Sequence, residues 1–257
     1  MSFGSRALVG VLVVAVLGTA CSGETSQPSE VRPTGPPKIR PAVVSDHAAQ
    51  LDEELADRPA GSQEEQAASQ YVLGHLQLAG YFVELDAVPV ENLVESTNLL
   101  ALPPSGEEPE TIVAVAYDAD EDTASGSTVG AFIELARALY AAAPEHRVEF
   151  VALGGEATDE HLGSRRLAQQ LRDDEASPDV LMLVPAPGDR VGFVGSLAAD
   201  LEDAARDAGI DPGTAPPTGV YGVDVFAEAG FDSAVVGGGS AKDLGALLLA
   251  YLAPGDG

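Results

Sequence analysis

The chain has 257 residues, of which 41 are acidic and 13 are Lys or Arg, and its formal net charge at pH 7 is −28. So acidic a surface repels nucleic acid and anionic lipid headgroups, which excludes both as partners of the folded part of the chain. The composition is 45% hydrophobic with 28 glycines and no tryptophan. This is typical of a globular protein rich in small residues and not of a disordered one.

The first 21 residues have the pattern of an export signal. Arg6 supplies positive charge, and residues 7–17 form an apolar run that is too short to span a bilayer. Cys21 is the single cysteine of the chain, so no intrachain disulfide can form. It resembles the lipid-attachment site of bacterial lipoproteins, although the leucine lies four residues before it instead of three. We therefore expect export and a lipid anchor at Cys21 on the outer face of the bacterial cell membrane; the alternative is a cleaved signal that leaves a free thiol.

A proline-rich stretch follows the predicted signal. Residues 22–41 contain five prolines among serine, threonine, glycine and glutamate. Proline denies helices and sheets a backbone donor, so this stretch is predicted to be an extended tether. Residues 42–257 are predicted to form one domain. Residues 1–40 carry a net charge of +2, so residues 41–257 carry −30.

The domain opens with two predicted helices. The first covers residues 45–56, with Ser45 as its cap, and a break follows at residues 57–61. Ser62 and Glu65 form an S-x-x-E capping box for a second helix, which ends at Gly80. His75 lies on or beside the apolar stripe of that helix, and we predict a packed side chain and not a metal ligand.

Strands and helices then alternate. Apolar, β-branched runs predict strands at residues 81–90, 98–102, 111–116, 148–153, 180–184, 191–194 and 234–236. Helical periodicity predicts helices at residues 126–143, 164–171, 197–208, 223–229 and 244–252. This alternation predicts an α/β fold, a three-layer α/β/α sandwich with a mostly parallel central sheet.

Acidic side chains follow two of the predicted strands. The residues concerned are Asp118, Asp120, Glu121 and Asp122 after the first of them, and Glu156, Asp159, Glu160 and His161 after the second. Ligands of such sheets gather at the carboxyl ends of the strands, so both loops are expected to line one crevice. Two interpretations stay open: the crevice attracts calcium or magnesium, or a domain this acidic simply has acids in most loops.

Several motifs together resemble metallopeptidase family twenty-eight, the secreted bacterial aminopeptidases with two co-catalytic zinc ions. The motifs are Arg58-Pro59-Ala60-Gly61-Ser62, Gly80-Tyr81, Asn98, Ala116-Tyr117-Asp118, Gly154-Gly155-Glu156-Ala157 and Leu162-Gly163-Ser164. Their shared spacing is more specific than any one of them, because each is short. The resemblance implies a phosphorylase/aminopeptidase-like fold for residues 42–257.

The resemblance also implies that most of the metal site has been lost. Of five expected zinc ligands, only the bridging aspartate is retained, at Asp122. Asp118 matches the acid that orients the first histidine ligand, but the position of that histidine is Ala116. Glu156 matches the general base, and the glutamate ligand expected after it is Ala157. The remaining aspartate and histidine ligands have no counterpart.

One carboxylate cannot hold zinc, since catalytic sites typically use three protein ligands and a water. Without the metal, Glu156 has no activated water, and a general base alone contributes only about 10²–10⁴-fold. We therefore expect a catalytically inactive peptidase-like domain that acts in binding or as a scaffold. No cofactor is expected, since zinc is implied by the resemblance alone, and the expected partner is a peptide or an envelope protein. Two alternatives stay open: an active metal-dependent hydrolase with Asp118, Asp122, Glu156 and His161 around one metal, and a purely structural envelope module.

Overall fold

The computed structural model describes residues 38–90, 94–119, 125–143, 145–158, 160–186, 188–214 and 222–253. The predicted export signal, Cys21 and the predicted tether up to residue 37 lie outside these ranges, and so does Asp122.

Seven strands and seven helices form the described part of the chain. The strands are β1 (Val83–Pro89), β2 (Glu95–Ala101), β3 (Thr111–Ala116), β4 (Val148–Leu153), β5 (Asp179–Val184), β6 (Val191–Gly195) and β7 (Ser233–Gly238). The helices are α1 (Pro41–Ala49), α2 (Gln63–Ala79), α3 (Gly126–Ala142), α4 (Leu162–Asp173), α5 (Ala198–Asp207), α6 (Val223–Ala229) and α7 (Ala241–Leu252). A π-helical turn, Gln50–Glu54, extends α1.

The strands form one sheet in the order β1-β2-β4-β3-β5-β7-β6. The four central strands, β4, β3, β5 and β7, are parallel, whereas β1, β2 and β6 join antiparallel at the edges. The predicted parallel sheet is therefore confirmed for its centre. Parallel strands end at the same edge of a sheet, so the loops after β3 and β4 lie side by side.

Helices cover both faces of the sheet, as β3 illustrates. Val113 and Val115 pack into the core formed with α1, α2, α3, α5 and α7, whereas Ile112 and Ala114 pack into the core formed with α4 and α6. Successive strand residues point to opposite faces, so a continuous apolar run is what a strand buried on both faces requires. The three-layer sandwich is confirmed.

The helix starts follow local chemistry. The Ser62 hydroxyl accepts the Glu65 N–H at 2.9 Å, and Gly80 ends α2 with a φ of 110°, as the sequence predicts. The prediction for the first helix was wrong at its start. α1 begins at Pro41, a residue suited to a first turn because it lacks an N–H, and the Ser45 hydroxyl donates to the Pro41 carbonyl within the helix.

None of the helices described here has both the length and the apolar character needed to cross a membrane.

Candidate functional site

A buried arginine ties together the chain segments around the end of β3. Arg58 is fully buried, and its guanidinium donates to the carbonyl oxygens of Leu51 (2.6 Å) and Tyr117 (2.8 Å) and to Ser125 Oγ (2.7 Å). Its backbone pairs with Ala119. Because a buried guanidinium must have its donors satisfied, these contacts fix the turn before α2 against the end of β3 and the start of α3.

Two glycines bring the end of β4 close to its neighbours. A Cβ atom on Gly154 would lie 2.5 Å from Tyr117 Oη and 2.6 Å from the Thr97 carbonyl oxygen, so only glycine fits there. Gly155 has a φ of 66°, a conformation that side chains other than glycine rarely adopt. The chain turns sharply after β4 as a result, and it directs the Glu156 side chain into the interior, where that residue is 2% exposed.

Both carboxylate oxygens of Glu156 are engaged by donors. Oε2 accepts the Ser164 N–H at 2.9 Å, and Oε1 accepts the Ser164 hydroxyl at 2.8 Å and the Gly222 N–H at 2.9 Å. Burial raises the pKa of Glu156, and the Ser164 donors oppose that increase. Ser164 lies in the first turn of α4, so Glu156 caps this helix in place of its N-cap residue, His161, whose side chain makes no capping bond.

Asp118 lies beside this arrangement and is 2% exposed. Its Oδ2 accepts the Ala157 N–H at 2.7 Å, whereas its Oδ1 has no hydrogen-bond partner among the described residues. Burial raises the pKa of Asp118 well above its usual value; the Ala157 N–H opposes this, and the charges of Glu156 and Glu65 add to it. The structure thus brings Asp118 and Glu156 into one buried acidic site.

His161 also contacts this site. Its Nδ1 lies 3.0 Å from the Glu156 carbonyl oxygen and 3.6 Å from Glu156 Oε1. Of the four residues in the alternative metal site, three are therefore found at the ends of β3 and β4: Asp118, Glu156 and His161. The fourth, Asp122, lies outside the described residues. His75, predicted to be a packed residue, stacks edge-on against Tyr71 and His47 of the α1–α2 contact, with ring centroids 4.6 Å apart in both pairs.

Glu65 belongs to the site although the sequence indicated only a capping role. Its carboxylate accepts the Gly155 N–H at 3.0 Å, and it also accepts the Ser96 hydroxyl and the Gly61 N–H. The predicted capping box is therefore half formed, because the carboxylate reaches the loop after β4 and not the Ser62 N–H. No local signal reveals this, since Gly155 is 90 residues further along the chain.

The described side chains do not fit a zinc ion. β3 ends in Ala116 and Ala157 follows Glu156, so neither position offers a ligand atom. After β5 the chain continues with Pro185 and Ala186, which offer no ligand side chain either. Within the ranges that the structure describes, no group of three or more His, Cys, Asp or Glu side chains is arranged to hold a metal ion. The carboxylate of Glu156 already accepts three hydrogen bonds from N–H and O–H donors.

Solved structures with the same architecture include zinc peptidases and glutaminyl cyclases. The zinc aminopeptidase BSAP from Bacillus subtilis has a TM-score of 0.69 at 13% identity, over 84% of this chain and 95% of that one. A glutaminyl cyclase from an Acidobacteriales bacterium has a TM-score of 0.70 at 17% identity, over 86% of this chain and 96% of that one. A Zn-dependent exopeptidase from Parabacteroides distasonis has a TM-score of 0.67 at 16% identity, over 85% and 99%.

These likenesses confirm the aminopeptidase-like α/β fold that the motifs predicted. At such low identity they show the fold alone. No protein-family model matches the chain, and no curated protein sequence matches it either.

Proposed function

We propose that this chain is a catalytically inactive relative of the two-zinc aminopeptidases, exported and anchored to the outer face of the cell membrane through Cys21. Its domain serves in binding, with a peptide or an envelope protein as partner. The shared fold, the alanines at two ligand positions and the apolar run before Cys21 support this proposal.

The observation that carries the proposal is the bonding of Glu156. A general base needs a lone pair directed at a water or substrate within hydrogen-bond reach. In this chain, the carboxylate at that position is 2% exposed and accepts three hydrogen bonds from Ser164 and Gly222. It links the first turn of α4 to Gly222, the residue before α6.

Metal content and turnover test the proposal directly. Full-length protein is purified in non-ionic detergent, dialysed against zinc and analysed for bound metal, and release of leucine from a chromogenic anilide is followed with and without added zinc. We expect bound zinc well below one ion per chain and no metal-dependent release. Stoichiometric zinc together with metal-dependent turnover would contradict the proposal.

One observation favours the alternative, an active metal-dependent hydrolase with a remodelled site. Asp118 Oδ1 is buried and has no hydrogen-bond partner among the described residues, which leaves one oxygen able to bind a cation. In that case Glu156→Gln removes an activity that the wild type shows, whereas Glu160→Gln, an exposed acid four residues away, leaves it unchanged. Under our proposal neither variant changes turnover, because there is none to lose.

A further inference from the structure

Two of the four exposed large apolar side chains of the described surface lie in or directly before β1, the edge strand of the sheet. Leu78 near the end of α2 is 84% exposed, Phe82 just before β1 is 70% exposed, and Leu85 within β1 is 61% exposed. Val94, just before β2, is the fourth such side chain among the described residues. Single exposed hydrophobic residues need no explanation, but Phe82 and Leu85 lie close together on the outermost strand of the sheet, which indicates a surface suited to a partner.

The backbone of β1 is open along the same edge. The Leu102 N–H donates to the Phe82 carbonyl oxygen at 3.0 Å and the Val90 N–H to the Val94 carbonyl oxygen at 2.9 Å, so the even-numbered residues of this segment pair with the β2 side. In an antiparallel ladder, alternate residues point their N–H and C=O groups to opposite sides. The residues that point away from β2 are Val83, Leu85, Ala87 and Pro89, of which Pro89 offers a carbonyl oxygen but no N–H. Within the described ranges, no strand lies on that side of β1.

The opposite edge of the sheet differs. There, the Gly213 N–H donates to the carbonyl oxygen of Val191 in β6 at 2.7 Å, so part of that strand's backbone already pairs with a segment outside the sheet. Val191 and Gly192 are also buried. An edge strand with free donors and exposed apolar side chains is normally protected, and only β1 combines both features here.

The side chains of β1 indicate what would fit against it. Val83 packs into the core that α2 covers, so Leu85, two residues further on, lies on the same side. On the other side, Glu84 is exposed and Asp86 is ion-paired at 2.7 Å to Arg166 of α4. An added strand would therefore meet Leu85 on one face, and the acids Glu84 and Asp86 together with Phe82 on the other.

The net charge of the domain indicates which kind of strand can add to β1. Residues 41–257 carry −30, so a second copy of the domain is repelled, whereas a basic segment is attracted. We propose that β1 is the docking edge for an extended segment of another protein, with alternating apolar and basic side chains, which adds to the sheet as an eighth strand. This proposal does not depend on the state of Glu156, so the two proposals fail separately.

A synthetic peptide tests the docking edge. The probe is a fluorescein-labelled peptide of alternating valine and lysine residues, titrated into full-length protein in non-ionic detergent. We expect a Kd tighter than about 1 mM that weakens as NaCl is added. Hydrogen exchange of the Leu85 and Ala87 amides should slow when the peptide is present. A valine–aspartate peptide of equal length should not bind, since it carries the same sign of charge as the domain.

A matched pair of variants at Ala87 tests the backbone contact. Ala87→Pro removes an outward N–H that makes no bond within the sheet, and it should weaken binding by about tenfold or more. Ala87→Val keeps the donor and favours the strand, so it should bind within about twofold of the wild type. Leu85→Lys keeps every donor but places a like charge beside the probe, and it should also weaken binding. It replaces Ala87→Pro if the proline variant has a lowered Tm.

Three results would overturn the proposal. They are no binding up to about 1 mM peptide, undiminished binding by a folded Ala87→Pro or Leu85→Lys variant, and protection of the Leu85 and Ala87 amides in the protein alone. Protection that grows with protein concentration would identify a second copy as the occupant. Protection independent of concentration would identify a segment of the same chain as the occupant.

Discussion

Glu149 is an acid placed inside the sheet, and none of the described residues forms an ion pair with it. It lies in β4 and is 5% exposed. Burial, with a smaller contribution from the charge of Glu84, raises its pKa from 4.5 to about 7. The folded state therefore holds its proton over a pH range in which the unfolded chain releases it. Its contribution to stability is lost as the pH rises from 4.5 towards 7, which costs about 3 kcal/mol in free energy of unfolding.

We predict that Glu149→Gln removes this loss. Urea unfolding of the wild type and the variant from about pH 5 to about pH 8 should show the variant gaining in relative stability as the pH rises, by about 3 kcal/mol. Glu84→Gln, at an exposed position, is the matched control and should recover only a small part of that gain. A constant difference between wild type and Glu149→Gln across the range would contradict the prediction.

The buried His146 has the opposite effect on the pH dependence of stability. Burial lowers its pKa from 6.5 to about 4. Its Nδ1 accepts the Val148 N–H at 3.1 Å and its Nε2 lies 2.9 Å from Tyr81 Oη, a geometry that suits the neutral ring. The unfolded chain binds this proton first on acidification, so stability falls as the pH drops from 6.5 to 4. The Glu149→Gln variant should still lose stability on acidification, and this distinguishes the effect of His146 from that of Glu149.

At the scale of elements, α4 is connected through Glu156 to a residue that is distant in sequence. Its N-terminus is capped by Glu156, and the same carboxylate holds Gly222 before α6. A Cβ atom on Gly222 would overlap both Glu156 Oε1 and Ser164 Oγ, although the backbone there, at a φ of −66°, is open to any residue. The space between α4 and α6, and not the backbone conformation, therefore requires glycine.

We predict that Gly222→Ala destabilises the protein by about 1–3 kcal/mol, because it forces a side chain into filled space. Gly74→Ala is the matched control. Gly74 lies within α2, where an added Cβ meets nothing within 4 Å, so this variant should be more stable by about 0.5–1 kcal/mol. Denaturant unfolding curves measure both changes. Equal stabilities for the two variants would show that the contact between Gly222 and Glu156 is not tight.

The features that could be predicted from the sequence are those that neighbouring residues determine. β3 and β4 have the bounds that the sequence predicted. A run of apolar and β-branched residues marks each of them as a buried strand, although Glu149 interrupts the run in β4. Ser62 and Gly80 mark the ends of α2 because capping is local. The roles of Arg58, Glu65 and Gly222 could not be predicted, because each depends on groups that are brought close only by the sheet. The π-helical turn after α1 has no sequence signal that we recognise.

At the scale of the whole molecule, the net negative charge opposes folding. A formal net charge of −28 makes the folded state repel itself, because its acidic groups are closer together than in the unfolded chain. Salt screens charges at the surface far more than buried ones. The domain should therefore behave as a salt-stabilised protein.

We predict that raising NaCl from about 0.01 M to about 1 M, which shortens the screening length from about 30 Å to about 3 Å, increases stability. A gain of about 1 kcal/mol corresponds to a Tm higher by about 2–4 °C for a domain of this size. Differential scanning calorimetry measures the change, and glycerol at matched osmolality reports the part not due to screening. A Tm that falls with NaCl would mean that surface ion pairs outweigh the repulsion.

The contacts at the start of the described chain have a mechanical consequence. Ile39 packs on Gly245 of α7, and Arg40 forms an ion pair at 2.6 Å with Glu134 of α3, which Arg137 also contacts. A pulling force applied through Lys38 would thus be borne first by α3 and α7. Glu156 and β1 take no part in these contacts, so a force applied at Lys38 need not disturb either of them.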